Sequence, residues 1–232
     1  MNFGSNIIMV LQRYGHLFLK GTLITLAFSA VAVTGGVIFG GILALMRLSE
    51  FHITVKGKKI KPLSIISTAY VEVIRGTPIL LQLYVFYFFI PSALSFLNLS
   101  KFASISLALI FNSAAYVAEI FRSGIDAVDH GQMEAARCLG LSRNQALMKI
   151  VLPQAIKNIL PALCNEFVAM IKETSLASTF FAGDIMTTYK TVNGALFLVI
   201  EPLIIIAVIY FALTFTLSKV VAVFERRMKT SD

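Results

Sequence analysis

Residues 21–46 read GTLITLAFSAVAVTGGVIFGGILALM, a run without one charged side chain. A helix rises about 1.5 Å per residue, so roughly 20 apolar residues cross the hydrocarbon core of a bilayer. The run is too long for a signal-peptide core, and no small-residue cleavage site follows it. Its second half carries Gly35, Gly36, Gly40 and Gly41, a face that lets another helix approach closely. Four more apolar stretches follow. The second, 62–91, is interrupted at Glu72 and at Arg75-Gly76-Thr77-Pro78. The third, 102–121, ends near Glu119; the fourth, 159–181, is interrupted by Glu166, Lys172 and Glu173; the fifth, 196–224, carries Glu201-Pro202 near its start. Of 232 residues, 57% are hydrophobic and 14% charged, against roughly 45–50% and 25% in soluble domains. Mean hydropathy is +0.83. This composition excludes disorder and leaves no room for a sizeable soluble domain. The expected fold is an all-α integral membrane protein with five transmembrane helices.

The net charge of +8 reads as membrane topology rather than as nucleic-acid binding, because basic residues concentrate in cytoplasmic loops. Segments 47–61, 122–158 and 225–232 hold thirteen Lys and Arg; the opposite connections hold only Arg13, Lys20, Lys101 and Lys190. That bias puts the N-terminus outside and the C-terminus in the cytoplasm, as five spans require. Residues 1–18 form an external segment, either an interfacial helix or a plain tether, and 225–232 a cytoplasmic tail. Cys138 and Cys164 lie 26 positions apart and read as free thiols. His16, His52 and His130 are isolated, so no metal site is expected.

The longest cytoplasmic connection, 122–158, carries helix signals. Asp129 with Gln132 has the spacing of a capping box, good helix formers follow, and Gly140 stops them. Ser142 with Gln145 is a second capping pair, and Arg143–Val151 reads as a short helix ended before Pro153. Ala135 and Ala136 beside Glu134 leave a low-profile face suited to a groove on a partner. Capping alone leaves open whether this helix pair meets a partner or only the membrane surface.

The run EAARCLGLSRNQALMKIVLP, 134–153, has a further spacing: E-A-A, three residues, G, nine residues, I, one residue, L-P. It resembles the coupling-loop signature of the membrane subunits of ABC importers, with Glu134, Ala135, Ala136, Gly140, Ile150, Leu152 and Pro153 on the motif. YVEVIRGTPILLQLYVFYF (70–88), AYVAEIFRSGIDAVDHGQMEAA (115–136) and LPQAIKNILPALCNEFVAMIKETSL (152–176) resemble the polar amino acid permeases of the histidine, glutamine, glutamate, arginine and opine group. The likeness covers about residues 19–220, which would form one transmembrane domain with a coupling-helix loop between spans 3 and 4. One departure is Gly183-Asp184-Ile185, where the family more often has Glu-Leu; another is the Lys-rich segment 56–61. The resemblance implies a permease subunit that forms an alternating-access pathway for a polar or basic amino acid in the prokaryotic cell membrane. It implies as partners two copies of an ATPase subunit, which bind the ATP and Mg, a second permease subunit, identical or paralogous, and an extracytoplasmic binding protein.

Intramembrane charges are costly and mark candidate cargo contacts. Glu72 lies near mid-membrane, with Arg75 three residues on; the two either neutralise each other or line the pathway above the Gly76–Pro78 break. Glu166, beside Asn165, either bonds another span or meets a cationic cargo group, and Arg75 or Lys172 would then meet the carboxylate. Glu119 and Arg122 read as a surface pair or a contact of the coupling loop. The chain lacks a G-x-x-x-x-G-K-[ST] phosphate loop and a nucleophile–base pair, so neither catalysis nor a resident cofactor is expected. The rival reading is a secondary amino acid transporter that needs no ATPase, which would show inverted repeats; none is visible.

Overall fold

The computed structural model describes residues 2–55 and 58–229. Lys56 of the Lys-rich segment and residues 230–232 of the expected tail lie outside them. The first helix, α1 (Phe3–Leu48), is one unbroken element. No break separates the residues before position 19 from the first span at 21–46, so of the two alternatives for that segment the plain tether is replaced by helix. The reason is local: this stretch has no proline, and a glycine such as Gly15 or Gly21 costs a helix only about 1 kcal/mol. Forty-six residues extend about 69 Å, far more than a bilayer core requires.

After α1 come two short paired strands, β1 (Ile53–Val55) and β2 (Lys58–Ile60). The second apolar stretch is broken. Helix α2 (Pro62–Arg75) starts on a proline and ends at Gly76; α3 (Ile79–Tyr84), a π turn (Val85–Phe89) and α4 (Ile90–Ala93) follow. Pro78 lacks an N–H and disfavours helical geometry at Thr77, whose hydroxyl donates to the Val73 carbonyl at 2.9 Å. Helix α5 (Lys101–Asp126) outlasts its expected end at 121. Then come α6 (His130–Cys138), α7 (Arg143–Ala146), a π turn (Leu147–Val151) and α8 (Leu152–Glu173). The expected stop before Pro153 does not occur: helix runs from Arg143 through α8 and on in a 3₁₀ turn to Phe180. Within the π turn the Leu152 N–H reaches back five residues to the Leu147 carbonyl. That wider turn accommodates a proline ring that would clash with an α-helical carbonyl. The flanks of the 122–158 connection are therefore extensions of the helices around it. A short α9 (Ile185–Leu196) precedes α10 (Ile200–Lys229), so the fifth span starts later than position 196. Phe197, at φ 55°, separates them. Among the described residues four helices are long and apolar enough to cross a membrane, five if the broken α2–α4 stretch is one span.

The chain divides into two packed units. The first comprises Met1–Ala32, Ile79–Ile110 and Phe167–Lys219. Its core joins Val10 and Phe18 of α1 to Ile185, Val192, Ile205 and Ile206. Asn6 donates to Glu201 Oε1 at 2.7 Å, and the Ile185 N–H to Thr25 Oγ1 at 3.2 Å. The second unit comprises Val33–Pro78, Phe111–Glu166 and Val220–Asp232. Here α1 and α5 meet backbone to backbone at the small-residue face. A Cβ on Gly36 would stand 2.6 Å from Ser113 Oγ, and one on Gly40 2.8 Å from the Ala114 carbonyl oxygen and 2.9 Å from Val117. Ser67 of α2 donates to the Leu43 carbonyl at 2.8 Å, and Tyr70 to that of Phe111 at 2.7 Å.

Gly40→Ala should therefore force α1 off α5 and destabilise the fold by about 1–3 kcal/mol, the cost of overpacking. Thermal unfolding in detergent measures it. Gly15→Ala is the control, since nothing lies within 4 Å of the added methyl; its midpoint should hold or rise.

Candidate functional site

The region between α5 and α8 is built by its caps. Asp129 accepts from the Gly131 N–H at 2.7 Å and starts α6. The capping box expected with Gln132 does not close: the Gln132 side chain accepts instead from Gln154 at 3.4 Å. The end of α6 is a Schellman turn. Gly140 N–H donates to the Arg137 carbonyl at 3.1 Å and Leu141 N–H to that of Ala136 at 3.2 Å. This requires the left-handed backbone that Gly140 supplies at φ 87°. Ser142 and Gln145 exchange both bonds of a capping box and start α7. Two turns with specified geometry thus hold two short helices at a set angle.

Glu134 and Ala135 are exposed on α6 and Gly140 is exposed in its turn, as the docking reading needs. Ala136 is not: it is buried, because α6 packs on α7 and the following π turn and its small side chain lets them close. Only one of the two alanines is offered outward. Ile150 sits half-buried in the π turn, and Leu152 and Pro153 open α8, the proline exposed. Leu139, 83% exposed at the tip, is the apolar side chain that the sequence reading passed over. Beneath α6, Met133 packs with Val128, Val151, Ala155 and Ile159. A cavity of about 240 Å³ there is lined by Glu50, Asp126, Asp129, His130 and Arg143 among others, and Arg143 is ion-paired to Glu50.

Glu119 proves to be a junction rather than half of a surface pair. One carboxylate oxygen meets Arg47 of α1 at 3.1 Å and Arg75 of α2 at 4.0 Å; the other meets Arg122. Arg75 also stacks over the Tyr116 ring, 5.5 Å from its centroid. So Arg75 is engaged by α5, and of the two alternatives for Glu72 and Arg75 it is not their mutual ion pair that the described residues show. Glu72 stays exposed at the end of α2. Glu166 accepts from Ser113 Oγ at 3.0 Å, an interhelical bond to a fully buried serine. Ser113 and Glu119 lie six residues apart, about 9 Å along α5, so Arg75 and Glu166 reach separate levels of one helix. Asn165 is exposed beside Glu166, and Lys172 is exposed in the last turn of α8.

Asp184, the departure from the family pattern, is fully buried and caps α9, accepting from the Met186 N–H at 3.0 Å and from the Thr187 hydroxyl. Burial pushes its carboxyl above the usual carboxylate range, partly offset by those donors. Its oxygens are committed to a helix terminus. Arg47 and Ser113 were missed as participants. The signal for Arg47 was its place as the first charge after the first span; a lone serine such as Ser113 carries none.

Residues 54–230 match the family described as binding-protein-dependent transport system inner membrane component. The chain is 38% identical over 214 residues to an arginine transport system permease protein of Bacillus subtilis, covering 92% of this chain and 93% of the relative. It is 37% identical over 215 residues to a probable glutamine ABC transporter permease protein of the same organism, covering 93% and 94%. Among solved structures, an amino acid ABC transporter with histidines superposes at TM-score 0.85 with 42% identity, covering 98% and 99% of the two chains. An inward-facing methionine ABC transporter shares the fold at TM-score 0.70 and 17% identity.

Glu119→Gln should leave three guanidinium groups without their common carboxylate. The expected loss is about 1 kcal/mol, because the cluster is partly exposed and screened. It should shrink as salt rises. Unfolding midpoints of the variant and the parent chain at low and high salt read both effects.

Proposed function

The chain belongs to the family of binding-protein-dependent transport system inner membrane components, and from that premise we propose that it carries a polar or basic amino acid and takes its energy from an ATPase docked at α6. It is a multi-pass membrane permease and a transporter, not an enzyme. The rival of a transporter that works without an ATPase has no support in this family.

The observation that carries the docking assignment is the geometry of α6: a nine-residue helix, capped at both ends, with Glu134, Ala135 and Leu139 exposed. A rigid, capped helix transmits displacement because it moves as one body. In the proposed cycle, ATP and Mg bind in two partner ATPase subunits and not in this chain. Closure of that pair draws together the α6 helices of this subunit and a second permease subunit, identical or paralogous. The pathway opens outward, takes an amino acid from an external binding protein, and returns inward after hydrolysis. The N-terminus lies outside and the C-terminus in the cytoplasm of a prokaryotic cell membrane, which follows from the excess of basic residues in 47–61, 122–158 and the tail.

For the cargo, the names of relatives and neighbours point to arginine, glutamine and histidine. Glu166, with Asn165 beside it, is the carboxylate proposed for a cationic cargo group; Glu72 is a second. Lys172 and Arg75 are the cations for the cargo carboxylate, Arg75 only on leaving Glu119. The bond from Ser113 supports this role for Glu166, since it fixes the position of the carboxylate.

Two outcomes test the reading in proteoliposomes that contain this chain with its ATPase. Gly140→Pro with Glu134→Arg should abolish amino-acid-stimulated ATP hydrolysis, because proline cannot adopt a positive φ. Persistent stimulation would refute docking at α6. Glu166→Gln keeps an oxygen for Ser113 and removes only the charge. It should lower lysine and arginine uptake about tenfold or more, roughly 1.4 kcal/mol, and spare neutral amino acids. Unchanged uptake of the basic pair refutes the cargo assignment and leaves the docking assignment standing.

A further inference from the structure

Between α1 and α2 the chain forms a hairpin that the transport function does not use. Strands β1 and β2 pair antiparallel, Ile53 opposite Ile60, Thr54 opposite Lys59 and Val55 opposite Lys58. Opposed residues share a face, and neighbours along a strand alternate. Ile53, Ile60 and Lys58 therefore occupy one face and Thr54 and Lys59 the other, so lysines reach out from both faces of the strand pair. Phe51 is 60% exposed and Ile53 49%. Residues 51–61 contain Lys56, Lys58, Lys59 and Lys61 and no acidic side chain. The carboxylate just before them, Glu50, is ion-paired with Arg143. Among the described residues, Lys58, Lys59 and Lys61 make no ion pair.

An isolated two-stranded hairpin is marginal in water, and exposed Phe and Ile side chains make it worse. The flanking residues say what surface is near. Leu48 ends one membrane helix and Pro62 starts the next, so both ends of the hairpin are tied to elements that emerge from the bilayer. Apolar side chains at that level rest among acyl-chain ends, and lysine stems reach past them to the phosphate layer.

We propose that β1 and β2, with Phe51 and Lys61 that flank them, form a contact for anionic phospholipid: Phe51, Ile53 and Ile60 enter the interfacial layer, and Lys58, Lys59 and Lys61 hold lipid phosphates. Anionic lipid is favoured over zwitterionic lipid because three ammonium groups lack a protein counter-charge, and each lysine near an anionic surface adds roughly fivefold in affinity. The proposal rests on the assignment of membrane helices and not on the cargo or on the partner of α6.

The chain contains no tryptophan, so Phe51→Trp in the full-length protein creates a single reporter in the hairpin. The protein is reconstituted into phosphatidylcholine vesicles holding a minor fraction of either brominated phosphatidylglycerol or brominated phosphatidylcholine. Both leaflets have the same composition, so the result does not depend on the orientation of the chain. Stronger quenching by the brominated anionic lipid is expected at equal mole fraction. The excess should disappear with Lys58→Gln, Lys59→Gln and Lys61→Gln together, survive the matching arginine changes, and shrink in high salt. Equal quenching by both lipids overturns the selection for anionic lipid. No quenching by either lipid overturns the membrane contact and assigns the face to a protein partner. The salt series on the unsubstituted lysines decides the matter even where the glutamine variant fails to fold.

Discussion

Helices that meet inside lipid exclude no water, so apolar surface by itself does not hold them together; close packing and interhelical hydrogen bonds do. In this chain the constraint is met along α1 and α5. Gly36 and Gly40 present bare backbone to Ser113, Ala114 and Val117 at distances that leave no space for a methyl group. Hydroxyls then tie α2 into the same layer, Ser67 to the Leu43 carbonyl and Tyr70 to the Phe111 carbonyl. Because α1 and α5 approach so closely, Arg47 at the end of one can reach Glu119 on the other.

The polar groups of α5 then sort the charges. Glu119 collects Arg47, Arg75 and Arg122, and Ser113 engages Glu166. Carboxylates in a low-dielectric layer need such donors. Asp184 follows the same rule, spending its oxygens on the first turn of α9. Glu166, a cargo candidate in the sequence, is thus also structural, and the two roles are not exclusive. A carboxylate that accepts from a buried serine gains a fixed position, which a cargo site requires. A carboxylate shared by three arginines has its charge balanced and ties helices together instead.

The α6 region shows the same economy at the membrane surface. Caps at Asp129 and Ser142 and the left-handed turn at Gly140 satisfy helix ends that would otherwise expose orphaned backbone groups. The result is a short stiff element with Leu139 at its tip, mounted through Met133 on the buried side chains of α8. A soft loop in this place would absorb the displacement it is proposed to transmit.

Long apolar helices, the Gly76–Pro78 break, the caps at Asp129 and Ser142 and the turn at Gly140 were all legible in the residues, because each depends on local chemistry: hydropathy over twenty positions, a missing N–H, a side chain two or three residues from its donor. Continuity was less legible. Nothing local marks that helix runs on through Pro153, since a π turn offsets what the proline costs. The partners of charges were not legible at all. Glu119 finds Arg47 at a separation of 72 positions and Ser113 finds Glu166 at 53, and no spacing rule reaches so far. Local chemistry in the residues was enough for a helical membrane protein with a capped element between α5 and α8. The tertiary structure decided which carboxylates hold the helices together and which alanine faces outward, because those outcomes depend on how closely two distant backbones approach.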